Sequence, residues 1–143
     1  MDTVAWQSQR IYPALRYDDA KAAIEWLVSV LGFEQHVVYA GEGDTVAHAQ
    51  LNLGGSLIML GSVKDGAYGR SPKALGDVTG TVYIALDTAA EVDALHARAK
   101  ASAAEIMREP CDTEYGSREF SVRDPEGQIW SFGTYRPSAS TPH

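Results

Sequence analysis

Three observations predict an α+β domain made of one βαβββ unit written twice. Short runs of alternating hydrophobicity outnumber helical patterns several to one. The order strand, helix, strand, strand, strand occupies about residues 10–62 and returns at about residues 79–136. Each unit also closes on a hairpin with a recognisable turn, Gly54-Gly55 in the first and Asp124-Pro125-Glu126-Gly127 in the second.

The elements follow in order. IYPALRY from Ile11 alternates as a strand. DDAKAAIEWLVSVLGF then carries Ala22, Ala23, Trp26, Leu27, Val30 and Leu31 at helical spacing, with Asp18 or Asp19 as N-cap and Gly32 as the stop. FEQHVVYA, TVAHAQLNL and SLIMLGS read as three strands divided by GEGD and by the two glycines. A polar connection, VKDGAYGRSPKALGDV, leads to the second unit: GTVYIALDT, the alanine-rich helix AAEVDALHARAKASAA capped by Thr88, then EIMREP, SREFSVRD and QIWSFGTY. Residues 137–143 read as a loose tail. The whole chain, 1–143, is expected to be a single domain.

Composition excludes several classes of function. A net charge of −7, with 12 basic residues scattered among 19 acidic ones, argues against nucleic acid, whose phosphates need clustered Lys and Arg. No run of apolar residues is long enough to span a bilayer, and no signal peptide opens the chain, so no membrane partner and a cytoplasmic location are expected. Cys111 is the only cysteine, so no internal disulfide or multi-cysteine metal site is available. His36, His96 and His143 are expected to be ordinary solvated residues.

Alternation assigns the faces of each strand. Ile11, Pro13 and Leu15, Ala47, Ala49 and Leu51, and Ile58 and Leu60 are expected under the first helix. That leaves Tyr12, Ala14 and Arg16, His48, Gln50 and Asn52, and Leu57 and Met59 on the open face. In the second unit Val82, Ile84 and Leu86 meet the helix, and Thr81, Tyr83 and Ala85 do not. A turn with Gly127 in the left-handed region pairs Val122 with Trp130 and Phe120 with Phe132 on the helix side, leaving Glu119, Ser121 and Ser131 on the other. A slip by one residue would press Glu119 against the helix, at a high desolvation cost.

The duplication, the element order and the stretch YGSREFSVRDPEGQIWSFGTYRP together resemble the vicinal-oxygen-chelate superfamily, the glyoxalase, bleomycin-resistance and dioxygenase fold. The resemblance covers about residues 10–136. It implies that the strands form a curved mixed sheet around a cup that holds a metal or a ligand. Metal-dependent relatives place His, Gln or Glu near the start of each unit's first strand and Glu on its last. Those positions correspond here to Tyr12, Met59, Thr81 and Ser131, none of which carries imidazole or carboxylate.

The resemblance therefore implies a metal-free branch, with no cofactor and no metal ligands, close to the bleomycin-resistance proteins. On this reading the chain is a binding protein rather than an enzyme. It sequesters a small, partly aromatic or cationic molecule, and antibiotic resistance is one possible outcome. Tyr12, Tyr83 and Met59 supply apolar contact, while Arg16, His48, Gln50, Asn52, Thr81, Glu119, Ser121 and Ser131 orient polar groups. Glu119 is expected in an internal ion pair, with Arg118 beside it or with Arg16. A homodimer is implied, with VAWQSQ crossing to the partner and Trp6 as its anchor. Two alternatives stay open. One is a lyase or isomerase of the glyoxalase type, using a displaced metal on His48 and Glu119 or Glu119 as acid and base. The other is a regulatory or interaction module whose cup is vestigial.

Overall fold

The computed structural model describes residues 9–64 and 69–138; Trp6 and His143 lie outside the described residues. The first unit runs β1 (Ala14–Tyr17), α1 (Ala20–Ser29), β2 (Glu34–Ala40), β3 (Val46–Leu53) and β4 (Ser56–Ser62). A short helix, α2 (Pro72–Leu75), lies in the connection. The second unit runs β5 (Thr81–Ala85), α3 (Ala89–Ala101), β6 (Glu105–Asp112), β7 (Arg118–Arg123) and β8 (Ile129–Gly133). The fold is α+β, with two mixed four-stranded sheets of order β1-β4-β3-β2 and β5-β8-β7-β6. In each, the first strand pairs parallel with the last and the remaining pairings are antiparallel. Among the described residues no helix is long and apolar enough to cross a membrane.

Compact packing divides the chain into one unit of residues up to Gly80 plus Asp124–Gln128, and another of Thr81–Arg123 plus the residues from Ile129 on. The inclusion of Asp124–Gln128 in the first unit has a clear chemical basis. Asp124 Oδ1 accepts the backbone N–H of Glu126, Gly127 and Gln128, and its Oδ2 accepts the buried Tyr17 hydroxyl at 2.6 Å. Glu126 accepts the N–H groups of Asp18 and Asp19 at 2.7 Å each, just ahead of α1. The Asp-Pro-Glu-Gly turn thus secures the first unit's helix entry as well as closing a hairpin. Burial in this apolar setting, beside the Asp124 carboxylate, holds the Tyr17 phenol well above its usual pKa.

Asp19, not Asp18, caps α1 by accepting from Ala22 N–H, while Asp18 accepts the Ser71 hydroxyl. The buried stripe of α1 is Ala20, Ala23, Ile24 and Leu27, so Ala22 turns outward and Trp26 is only half-buried. It covers Ala49, Leu51, Ile58 and Leu60, which adjacent registers of β3 and β4 set on one face. Thr88 caps α3 in a capping box with Glu91. In the second sheet Phe120 pairs with Phe132 and Val122 with Trp130, as the left-handed Gly127 requires, and all four are fully buried.

Two expectations are corrected. Ile11 is 88% exposed rather than in the core. Pro13 has no N–H to give to a ladder, and the strand starts only at Ala14. His96 is not solvated, since its side chain is only 15% exposed, edge-on to Phe120 and with Nε2 2.9 Å from Glu109 Oε1. That contact is not aligned as a hydrogen bond. Val92, His96 and Ala99 form one i, i+4, i+7 stripe on α3, which explains the burial. The polar connection between the units carries the short helix α2. Ser71 caps α2, Pro72 opens it and Gly76 closes it in the left-handed region.

Candidate functional site

Registers place Arg16, His48, Gln50, Asn52 and Met59 on one face of the first sheet and Thr81, Tyr83, Glu119, Ser121 and Ser131 on one face of the second, whereas Tyr12 lies ahead of β1. In the first unit Ala14 pairs with Met59 and Gln50 with Met59, so Ala14, Arg16, Gln50 and Met59 share a face with His48. Ala14, Arg16, His48 and Met59, with Leu15 and Leu60, line a hollow of about 80 Å³. Gln50 Nε2 and His48 Nε2 are 3.0 Å apart, and the imidazole stacks on Tyr39 of the neighbouring strand. Arg16 Nη1 donates to Ser62 O at 3.4 Å. Arg16 runs across Gly61, where a Cβ would lie 2.8 Å from that nitrogen.

Two expected residues are engaged elsewhere. Asn52 is buried, and its Oδ1 accepts Gly55 N–H to hold the Gly54-Gly55 turn. The Tyr12 hydroxyl donates to Gln9 O. Gln9, the end of the VAWQSQ segment, uses both ends of its amide on the Leu57 backbone of its own chain.

The second unit presents Thr81, Tyr83, Glu119, Ser121 and Ser131 on its helix-free face. Ser121 and Ser131 join hydroxyls at 2.8 Å. Glu119 is 9% exposed, and its carboxylate receives the Tyr115 hydroxyl at 3.1 and 3.0 Å and Arg108 Nη1 at 3.3 Å. Its ion pair is therefore with Arg108, and Arg118 instead binds Asp93 and Asp112. The hydrogen bond to Glu119 is the main cause of a raised Tyr115 pKa; for Tyr83 the main cause of a raised value is burial. Tyr83 Oη donates to Tyr135 O, and Tyr115 meets Tyr135 edge-on at 5.3 Å. A Cβ on Gly133 would come within 2.6 Å of Tyr83 Oη and 2.7 Å of Glu119 Cγ, so only glycine leaves room for both.

Sequence patterning missed Arg108, Tyr115 and Tyr135. Tyr115 sits in the turn between β6 and β7, beyond the reach of strand alternation. Arg108 reaches the open face because register shifts on either side of it pair it with Ser121 instead of Phe120. The glycine inside QIWSFGTY was the available signal for a close approach.

The registers also align the first and last strands of the two units. Met59 and Ser131 each stand two places before the glycine of the last strand, and Ala14 and Tyr83 are their parallel partners. Residues 10–132 match the model of the Glyoxalase/Bleomycin resistance protein/Dioxygenase superfamily. The chain belongs to this superfamily. Uncharacterized relatives in Mycobacterium bovis and Mycobacterium tuberculosis are 32% identical over 124 residues, 85% of this chain and 80% and 71% of theirs. Among solved structures, TioX from Micromonospora sp. ML1 is 28% identical with a TM-score of 0.70, covering 91% of this chain and 98% of its own. FosX, a fosfomycin resistance protein of Listeria monocytogenes, shares the fold at 13% identity and a TM-score of 0.64, covering 90% and 93%. Lactoylglutathione lyase from Agrobacterium tumefaciens shares it at 22% identity and 0.60, covering 88% and 92%. Within this glyoxalase-superfamily chain, the two helix-free faces are the candidate ligand surfaces.

Proposed function

We propose that this protein is a metal-independent binding protein that sequesters a small, partly aromatic or cationic molecule in the cytoplasm, with antibiotics of the bleomycin type as candidates. The carrying observation is the hollow lined by Ala14, Arg16, His48 and Met59, which joins an apolar wall to two polar heads. At about 80 Å³ it is smaller than a drug-sized pocket, so it receives one group of a larger ligand. The donor set supports independence from metal. The superfamily's ligand positions correspond to Tyr12, Met59, Thr81 and Ser131, and a thioether and three neutral hydroxyls are poor ligands for a divalent first-row ion. Among the described residues no three His, Cys, Asp or Glu side chains come together. A homodimer is part of the proposal and is read by sedimentation.

A second reading is favoured by the buried Glu119 with its Tyr115 contact, the raw material for acid and base catalysis. Calorimetric titration of metal-stripped protein separates the two. Saturable binding of a bleomycin-type compound, weakened in Arg16→Ala and His48→Ala, with no stoichiometric uptake of Zn²⁺, Ni²⁺, Mn²⁺ or Fe²⁺, is expected. Stoichiometric metal uptake, or catalytic turnover that is lost in Glu119→Gln, would replace the binding protein with an enzyme.

A further inference from the structure

We infer that the second unit's helix-free face carries a subsite for an organic cation, an ammonium or amidinium group, with the Glu119 carboxylate as its floor and Tyr83, Tyr115 and Tyr135 around it. This rests on the sequestration reading and names the chemistry that one part of the ligand must have.

The first argument is the cost of Glu119 itself. Alternation needs a residue outside the apolar core at this place on β7, and any neutral polar side chain would meet that need. A carboxylate only 9% exposed gives up most of its hydration. Its partner Arg108 has a side chain 50% exposed, and such a screened pair returns little of the loss. A cation enclosed against the carboxylate would return far more, because the pair is then shielded from water.

The surroundings match the same ligand. Tyrosine ring faces attract cations through their quadrupole, and three tyrosines gather here through the Tyr115–Tyr135 edge contact and the Tyr83 bond to Tyr135 O. Gly133 keeps Tyr83 and Glu119 close to one another, since both crowd the same missing Cβ. An anion would meet the charge of Glu119 directly.

The two groups now on the carboxylate are the ones able to leave. Tyr115 is 60% exposed in a hairpin turn, beside Gly116 at φ 83°. Arg108 is a guanidinium, the type of group the subsite takes, so it acts as an internal stand-in that a ligand must displace. Deleting Arg108 should therefore tighten binding, whereas a purely structural ion pair, or an anion site that uses Arg108, would not respond in this way.

The test is a backbone-amide NMR titration of the full chain with benzamidine, against benzamide and benzoate as neutral and anionic isosteres. Saturable shifts are expected around Tyr115–Glu119 and Gly133–Tyr135. Affinity should fall about ten-fold in Glu119→Gln and for both isosteres, fall in Tyr115→Leu, and rise several-fold in Arg108→Ala. Thermal unfolding of each variant confirms the native fold, and the exposed Tyr115 and Arg108 variants give a readout even if Glu119→Gln fails to fold. The proposal is overturned by absent benzamidine shifts, by benzoate binding as well as benzamidine, by unchanged affinity in Glu119→Gln, or by weaker binding in Arg108→Ala. A bleomycin-type compound that shifts only the Arg16 and His48 region while benzamidine stays silent leaves sequestration standing and removes the cation subsite. Metal uptake with benzamidine still bound at Glu119 does the reverse.

Discussion

The two units share one backbone plan and fill it in opposite ways. In the first, the helix brings the bulk: Ile24 and Leu27, followed by Val30 and Leu31, press on a sheet of Ala49, Leu51, Ile58 and Leu60. In the second, the helix is nearly bare, with Val92 and Ala99 as its fully buried residues, and the sheet supplies Phe120, Trp130 and Phe132. Interiors must be filled to near-crystalline density, so small residues on one layer demand large ones on the other. What the duplication keeps is register and the glycine of the last strand. Volume, and the chemistry of the open face, are free to diverge, giving Arg16 and His48 on one side and Glu119 among tyrosines on the other.

That contrast can be broken most severely at Trp130. Trp130→Ala should cost about 3–5 kcal/mol in urea unfolding, and a cost no greater than that of an exposed substitution would show that the aromatic sheet is not the second unit's core. Next comes Asp124→Ala, expected to cost on the order of 3 kcal/mol, because three backbone N–H groups and the Tyr17 hydroxyl lose their acceptor together. Amide hydrogen exchange should then rise at β1 and the start of α1, in the first unit, although the substitution lies between two strands of the second sheet.

The paired glycines sharpen the comparison. Gly133→Ala drives a methyl group into Tyr83 and Glu119 and should cost about 1–3 kcal/mol together with benzamidine binding. Gly61→Ala meets chiefly the movable end of Arg16, with Ala47 O at 3.0 Å, and should cost less. Equal costs would remove the distinction between a packed and an adjustable face.

The smallest effect is a loss of stability that sets in only at alkaline pH. The folded Tyr17 pKa lies above the unfolded value of 10.0, so its contribution is complete below about pH 10 and is lost as pH rises through the folded value. Thermal midpoints from about pH 8 to about pH 11 should fall less steeply in Tyr17→Phe than in the parent chain.

Much of this was legible in the sequence for a physical reason. Strand alternation and one left-handed glycine suffice to pair Phe120 with Phe132 and to turn Glu119, Ser121 and Ser131 to the open face. The capping residue Thr88 and the Asp-Pro-Glu-Gly turn likewise announce themselves by side-chain chemistry. What escaped depends on irregularity: Arg108 is redirected by bulges that no periodicity marks, and Tyr115 reaches Glu119 from a turn. Asn52 sits on the expected face but is claimed by a neighbouring turn, since alternation gives direction and not occupation. His96 was readable, because its spacing from Val92 and Ala99 is helical, but its polarity masked the stripe.

The Asp124–Gln128 turn has a further consequence, for the order in which the molecule can be made. Its carboxylates close bonds with Tyr17, Asp18 and Asp19 across more than a hundred residues of chain. On the ribosome, where chains emerge from the N-terminus, the first unit cannot complete its own helix entry until nearly the whole second unit has been synthesised. A half-chain ending before Asp124 would leave the Tyr17 hydroxyl without its partner. Residues 17–19 therefore wait for partners made more than a hundred residues later, and the two halves are bound to a common folding event.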